Sequence, residues 1–199
     1  MLKEIVLATG NQHKKKEIEN ILPGICFRLP EEYGIEFDIP EDGSTFFENA
    51  CAKARFLFDR LKKPVIADDS GLCVSALDGA PGIYSARYGS APGEIKLSAE
   101  ERNEYLLSKL KGVNDRRAAF VCCMVLITDE HRVFSAQETA EGIIVDNPAG
   151  SGGFGYDPVF YMPSLKKTMA ELTEEEKNRV SHRGRAGAVM LRIIQGLEL

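Results

Sequence analysis

The chain has 199 residues, 44% of them hydrophobic, enough to bury one substantial core without a linker. Its net charge of -5 and pI near 5.4 oppose a nucleic acid or an anionic membrane as partner, but leave room for a small anion held by a local cluster of cations. Five cysteines without a Cys-x-x-Cys spacing suggest neither a disulfide framework nor a thiolate zinc site, no apolar run spans a bilayer, and Met1-Leu2-Lys3-Glu4 leads into a strand without a signal-peptide pattern; a single cytoplasmic domain over residues 1–199 is expected.

Ile5-Val6-Leu7-Ala8-Thr9, closed by Gly10-Asn11, predicts a buried strand ending in a turn. Ile18, Ile21 and Leu22 recur at helical spacing in a polar stretch that Pro23-Gly24 stops. Ile35, Phe37 and Ile39 alternate with Glu36 and Asp38, predicting a second, half-exposed strand. Thr45 with Glu48 reads as a capping box opening a long helix. Its buried face carries Phe47, Ala50, Cys51, Ala54, Phe58 and Leu61, and its exposed face Glu48, Asn49 and Lys53. Pro64-Val65-Ile66-Ala67 predicts a short buried strand presenting Asp68-Asp69-Ser70-Gly71 at its carboxyl end, where open α/β sheets usually bind ligands.

Residues 77–93, rich in Gly, Pro, Ala and Ser, predict a long irregular connection. Ser98 with Glu101 caps another helix, with Leu106, Leu107 and Leu110 inside and Gly112 at its end. Ala118 to Thr128, Arg132 to Gln137 and Glu138 to Val145 predict successive strands, followed by a glycine-dense stretch from Gly150 to Pro158 and a short strand Val159-Phe160-Tyr161. Thr173 with Glu176 caps the next helix, and Ala186, Val189, Met190, Ile193 and Ile194 mark the buried face of a terminal one. Strands and helices interleave from end to end, so the class is α/β.

Several segments could carry chemistry. Thr9-Gly10-Asn11-Gln12-His13-Lys14 joins the first strand to the first helix, where outward amides, the helix amino terminus and the Lys14 charge suit phosphates; an ordinary turn with a solvated Lys14-Lys15-Lys16 face would read the same. No Walker A spacing is present. Asp68-Asp69 offers hard oxygen ligands, of which magnesium usually takes one or two, and a carboxylate to orient or deprotonate water; an acidic turn is the bland alternative. Glu41-Asp42-Gly43 is another acidic turn before a helix, of a kind that stabilises helix starts without catalysis. Around Phe154 and Tyr156, glycines can bring backbone close to a ligand while rings stack on a base, or the rings simply pack in the core. Ser181-His182-Arg183, with Lys177 on the preceding helix, offers imidazole and guanidinium donors or a plain helix-terminal surface. His13, His131 and His182 lack metal-ligand spacing, and no Gly-x-Ser-x-Gly elbow occurs.

In order, these segments resemble the inosine triphosphate pyrophosphatase family, known in bacteria and archaea as dITP/XTP pyrophosphatases and called Ham1-like. The resemblance rests on Leu7 to Asn11 with Lys14, Gly43 to Ala50 with Lys53-Ala54-Arg55, and Ile66 to Leu72. It continues through Gly79 to Tyr88, Gly152 to Pro158, Glu176-Lys177 and Ser181 to Gly184. The implied fold is a central elongated mixed sheet flanked by helices, in two lobes with the active-site cleft between them. The implied activity is cleavage of deaminated purine nucleoside triphosphates, such as ITP, dITP and XTP, to the monophosphate and pyrophosphate, cleansing the nucleotide pool.

The resemblance also assigns roles. Thr9, Gly10, Asn11, Gln12, His13 and Lys14 hold the triphosphate, with Lys53 as a further phosphate contact and Ser70 as a substrate contact. Asp69 matches the general base and metal-associated carboxylate, with Asp68 beside it. Phe154, Gly155, Tyr156 and Asp157 match the segment holding base and sugar, and Lys177, His182 and Arg183 the residues that close on the nucleotide and read the purine O6. Mg²⁺ is the implied cofactor, held by Asp69 and Glu41, and water attack at the α-phosphorus would expel pyrophosphate. Many bacterial members of that family carry two adjacent glutamates where this chain has Glu41-Asp42, so Asp42 is an alternative second metal carboxylate. A homodimer is implied, with no nucleic-acid or membrane partner. A Maf-like pyrophosphatase of modified pyrimidine nucleotides is the competing enzyme, disfavoured by Ser181-His182-Arg183; a nucleotide sensor without turnover is the competing non-enzyme, disfavoured by the intact Asp68, Asp69 and Lys53.

Overall fold

The structure, a computed structural model, describes residues 4–90, 93 and 95–197. The reading of residues 1–3, and of Ala91 and Pro92 in the expected connection, lies outside the described residues. Seven strands form one sheet among the described residues: β1 (Glu4–Leu7), β2 (Cys26–Arg28), β3 (Val65–Val74), β4 (Arg117–Ile127), β5 (Val133–Ile144), β6 (Phe160–Met162) and β7 (Lys167–Thr168). Their order is β2-β1-β3-β4-β5-β6-β7. The β1 ladders to β2 and β3 are parallel, whereas β5–β6 and β6–β7 are antiparallel, so the sheet is mixed. The flanking helices are α1 (Gln12–Ile21), α2 (Phe46–Leu61), α3 (Ala99–Lys109), α4 (Glu174–Val180) and α5 (His182–Gly196), which bears out the expected α/β class.

The chain divides into two compact units, the first made of Met1–Asp69, Cys122–Thr139 and His182–Leu199, the second of Ser70–Val121 and Ala140–Ser181. Strand alternation gives the first unit a core on each face of its part of the sheet. Ile5, Leu7, Ile66 and Met124 pack with Ile18 of α1 and Ala186 and Met190 of α5. Val6, Ala8, Val65, Ala67 and Val125 pack instead with Ala50, Ala54 and Leu57 of α2. In the second unit Leu72, Val74, Phe120 and Phe160 enclose Leu106 and Leu110 of the α3 segment. Each fully buried Leu or Ile stabilises its unit by roughly 1.5–3 kcal/mol.

Three expectations need correction. Residues 35–39 form no strand: Ile35, Phe37 and Ile39 are half-buried and Glu36 and Asp38 exposed, so the alternation records one-sided packing, not a ladder. The strand beside β1 is the short β2, whose three residues carry too little pattern to stand out. The two strands expected over residues 132–145 are one continuous β5. On α2 the buried stripe is Asn49, Ala50, Lys53, Ala54, Leu57 and Phe58, while Phe47 is exposed, because Asn49 and Lys53 find polar partners inside. Two short 3-10 turns, Ser75–Leu77 and Gly82–Arg87, give the expected irregular connection local order.

Candidate active site

Thr9 to Lys14 is shaped by its own side chains. Thr9 Oγ1 accepts from the Asn11 amide at 3.1 Å, and Asn11, the amino-terminal cap of α1, accepts from the amides of His13 at 2.9 Å and Lys14 at 3.3 Å. Those two amides are engaged by Asn11 and are not the outward donors expected from the turn, so the segment offers shape and the Lys14 charge. Gly10, Asn11, Gln12 and His13 are exposed, and Thr9 is half-buried.

Asp68 and Asp69 are not a turn at a strand end. β3 runs on to Val74, and alternation sends the two neighbouring carboxylates to opposite faces. Asp68 shares the face of Ile66 with α1 and α5. Its Oδ2 lies 3.0 Å from Lys14 Nζ and accepts from Arg183 Nε at 3.3 Å and Nη2 at 3.2 Å. Arg183 Nη1 also donates to Glu17 of α1, and Arg183 is 1% exposed. Burial alone would push the Asp68 carboxyl up, but Lys14, Arg183 and Lys53 outweigh it and hold Asp68 well below the usual carboxylate range. Asp68 is thus an anion fixed between cations, suited to aiming Lys14 and ill suited to taking a proton.

Asp69 shares the face of Ala67 with α2. Its Oδ2 accepts from Asn49 Nδ2 at 3.0 Å, and Lys53 Nζ stands 3.5 Å from its Oδ1 and 2.9 Å from Glu41 Oε1. The Gly43 amide donates to Asn49 Oδ1 at 2.9 Å, joining the turn that carries Glu41 to the amide that holds Asp69. A Cβ on Gly43 would stand 2.7 Å from that oxygen, so this approach needs glycine. Burial pushes the Asp69 carboxyl up against the opposing pull of Lys53 and the Asn49 hydrogen bond. On Lys53 burial pulls down, and Asp69, Asp68 and Glu41 together hold the ammonium above its ordinary value. Asp42 is exposed. Asp69 and Glu41 supply two hard oxygen donors already gathered about one cation, a donor set that fits magnesium, which takes few protein carboxylates. Among the described residues no group of three or more His, Cys, Asp or Glu side chains forms a metal-binding cluster.

The second unit holds its own group. Asp157 Oδ2 accepts from Lys177 Nζ and from the Phe154 amide, both at 2.7 Å, and Lys177 Nζ lies 4.8 Å from the Phe154 ring centroid. Gly153, with φ +70°, leaves the room Asp157 needs: a Cβ there would stand 2.1 Å from Oδ2. Tyr156 is buried in the core, its hydroxyl donating to the Ser85 carbonyl at 2.9 Å, so its ring anchors the loop from beneath. Asn103 Nδ2 donates to the Gly155 carbonyl at 3.1 Å. Phe154 is half-buried, as is Ser70 on β3. His182, read from sequence as a possible surface feature, is 5% exposed at the start of α5 in the first unit.

Asn49 and Glu17 carry parts of the site that the sequence reading passed over. Asn49 could have been found from its spacing of four to Lys53 beside Ala50 and Ala54, a polar pair sharing a helix face with small apolar residues. Glu17 carries no comparable signal, since a glutamate after Lys14-Lys15-Lys16 reads as solvated.

Residues 5–193 match the model of the Ham1 family. A protein of Treponema denticola named dITP/XTP pyrophosphatase is 57% identical over 193 residues, covering 97% of this chain and 99% of that protein. Among solved structures, the Staphylococcus aureus Ham1 protein superposes with a TM-score of 0.88 at 45% identity, over 98% of this chain and 99% of that one. A HAM1 protein from Coxiella burnetii gives a TM-score of 0.88 at 39% identity, over 99% and 100%. With a family model matched along nearly its whole length, the chain belongs to the Ham1 family.

Proposed function

We propose that this Ham1-family enzyme hydrolyses deaminated purine nucleoside triphosphates, ITP or dITP and XTP or dXTP, to the monophosphate and pyrophosphate by water attack at the α-phosphorus. The observation that carries the reading is the group of buried Asp69, Lys53 and Asn49 with half-buried Glu41, in a chain whose Treponema denticola relative is named for dITP and XTP. Mg²⁺, held by Asp69 and Glu41, supplies charge neutralisation and polarisation at the phosphate oxygens when bound. Asp69, raised by burial and oriented by Asn49, receives the proton of the attacking water. Lys14 and Lys53 neutralise the triphosphate and the charge that develops on pyrophosphate as it leaves. Thr9 and Asn11 keep the loop before Lys14 in register, and Gly10, Gln12, His13 and Ser70 contact the substrate. Asp68 serves through Lys14, whose ammonium it fixes, and Arg183 in turn holds Asp68.

Phe154 and the neighbouring Gly155 and Asp157 hold base and sugar, with Tyr156 supporting them from the core. Lys177, His182 and Arg183 close on the nucleotide and supply the donors for O6. Opposite adenine such a donor meets an amino group and is left unpaired, which disfavours ATP. The same reading places the enzyme in the cytoplasm as a homodimer that cleanses the nucleotide pool; among the described residues no helix is long and apolar enough to cross a membrane. The test is an anion-product assay with dITP, XTP, dATP, dGTP and dTTP, with and without Mg²⁺, for the parent and Asp69→Asn. Magnesium-dependent pyrophosphate release from dITP and XTP, lost in Asp69→Asn, is expected; orthophosphate release, or faster turnover of dTTP, would contradict the reading.

A further inference from the structure

The ammonium of Lys53 already stands at both carboxylates assigned to the metal. It lies 2.9 Å from Glu41 Oε1 and 3.5 Å from Asp69 Oδ1, although the two acids come from separate segments, a turn ahead of α2 and the middle of β3. Lys53 is only 7% exposed and Asp69 4%, so water does little to compensate these two charges, while Glu41 is half-buried at the edge of the group. An ammonium and a divalent ion seek the same oxygen lone pairs, and two cations at contact in one buried pocket repel each other strongly. The lysine stem is flexible, so its head group can exchange a carboxylate for another anion nearby.

We propose that Lys53 is the resident counter-cation of Asp69 and Glu41, competing with the divalent metal for both carboxylates and giving them up when a triphosphate offers its ammonium another anion. The proposal rests on the reading of Asp69 and Glu41 as the metal carboxylates. Its consequence is thermodynamic: metal and triphosphate each favour the displaced Lys53, so the binding of one strengthens the binding of the other. The metal alone is then held weakly, because an ammonium already stands at both of its ligands and offsets one of their two charges.

Mn²⁺ is the probe, titrated into the nucleotide-free protein while free Mn²⁺ is read by electron paramagnetic resonance. The parent, Lys53→Met, Lys53→Gln and Asp69→Asn are compared, each checked for folding by circular dichroism. Removing the competing ammonium should tighten Mn²⁺ binding by about tenfold or more. Lys53→Gln keeps a polar head and guards against misfolding of the methionine variant; it should shift in the same direction. Unchanged or weaker Mn²⁺ binding in the folded Lys53 variants overturns the competition, and if Asp69→Asn still abolishes binding, Asp69 stands as a metal ligand. Mn²⁺ binding that Asp69→Asn leaves untouched overturns both the competition and the metal reading.

Discussion

Asp157→Asn is the sharpest probe of the group in the second unit. An asparagine keeps an oxygen for the Phe154 amide but strips the Lys177 ammonium, 2.7 Å away, of its carboxylate. The two side chains are 4% and 8% exposed, so water cannot replace the lost partner. Breaking a buried ion pair by removing one partner costs about 3–5 kcal/mol. In a chain of 199 residues each kcal/mol moves the melting temperature by about 2–4 °C, so the variant should melt roughly 6–20 °C lower. Replacing both residues, Asp157→Asn with Lys177→Met, removes both charges together. The double variant should then regain at least about 1 kcal/mol relative to the sum of the single losses. Differential scanning calorimetry and urea titration of the four proteins give the cycle. A loss below about 1 kcal/mol for Asp157→Asn, or strictly additive losses, would refute the idea that this pair is a buried, mutually dependent unit.

Asn49→Ala removes the donor to Asp69 and the acceptor for the Gly43 amide, so stability should fall by about 2–4 kcal/mol. Turnover should fall more than KM rises, since Asp69 is disoriented while Lys14 is untouched; steady-state kinetics with dITP separate the two. The thiols differ by environment: Cys26 is exposed, whereas burial pushes Cys123 up to about 11 and Cys122 higher still. Iodoacetamide at pH 8 should therefore label Cys26 first by mass spectrometry and reach Cys122 and Cys123 only on unfolding. Early labelling of either buried thiol would contradict the packing of β4.

Local hydrogen-bond patterns were legible from residues alone. Ser98 with Glu101 and Thr173 with Glu176 form the reciprocal capping boxes that their spacing predicts. Thr45 accepts from the Glu48 amide as predicted, but the Glu48 carboxylate turns to Ser44, a nearer pair of donors that spacing alone does not rank. The acidic segment does not have the shape its residues suggest. Two adjacent aspartates read as the end of a strand because lone charges do not stay buried. They stay within β3 because Asp68 meets Lys14 and an arginine 115 residues along the chain, while Asp69 meets Asn49 and Lys53 from α2. Those partners are supplied by tertiary structure, and the same fact inverted the reading of α2, where Asn49 and Lys53 look like solvent-facing residues until Asp69 is placed. Tyr156 shows the converse: a ring eligible for stacking on a base is held in the core by a hydroxyl partner, Ser85, 71 residues earlier.

Hydrolysis of dITP in H₂¹⁸O tests the central claim most directly. Attack at the α-phosphorus requires the heavy oxygen in the nucleoside monophosphate and none in pyrophosphate, with the yield falling sharply in Asp69→Asn. Label in the pyrophosphate, or a diphosphate product with labelled orthophosphate, would place the attack on another phosphorus and contradict the account.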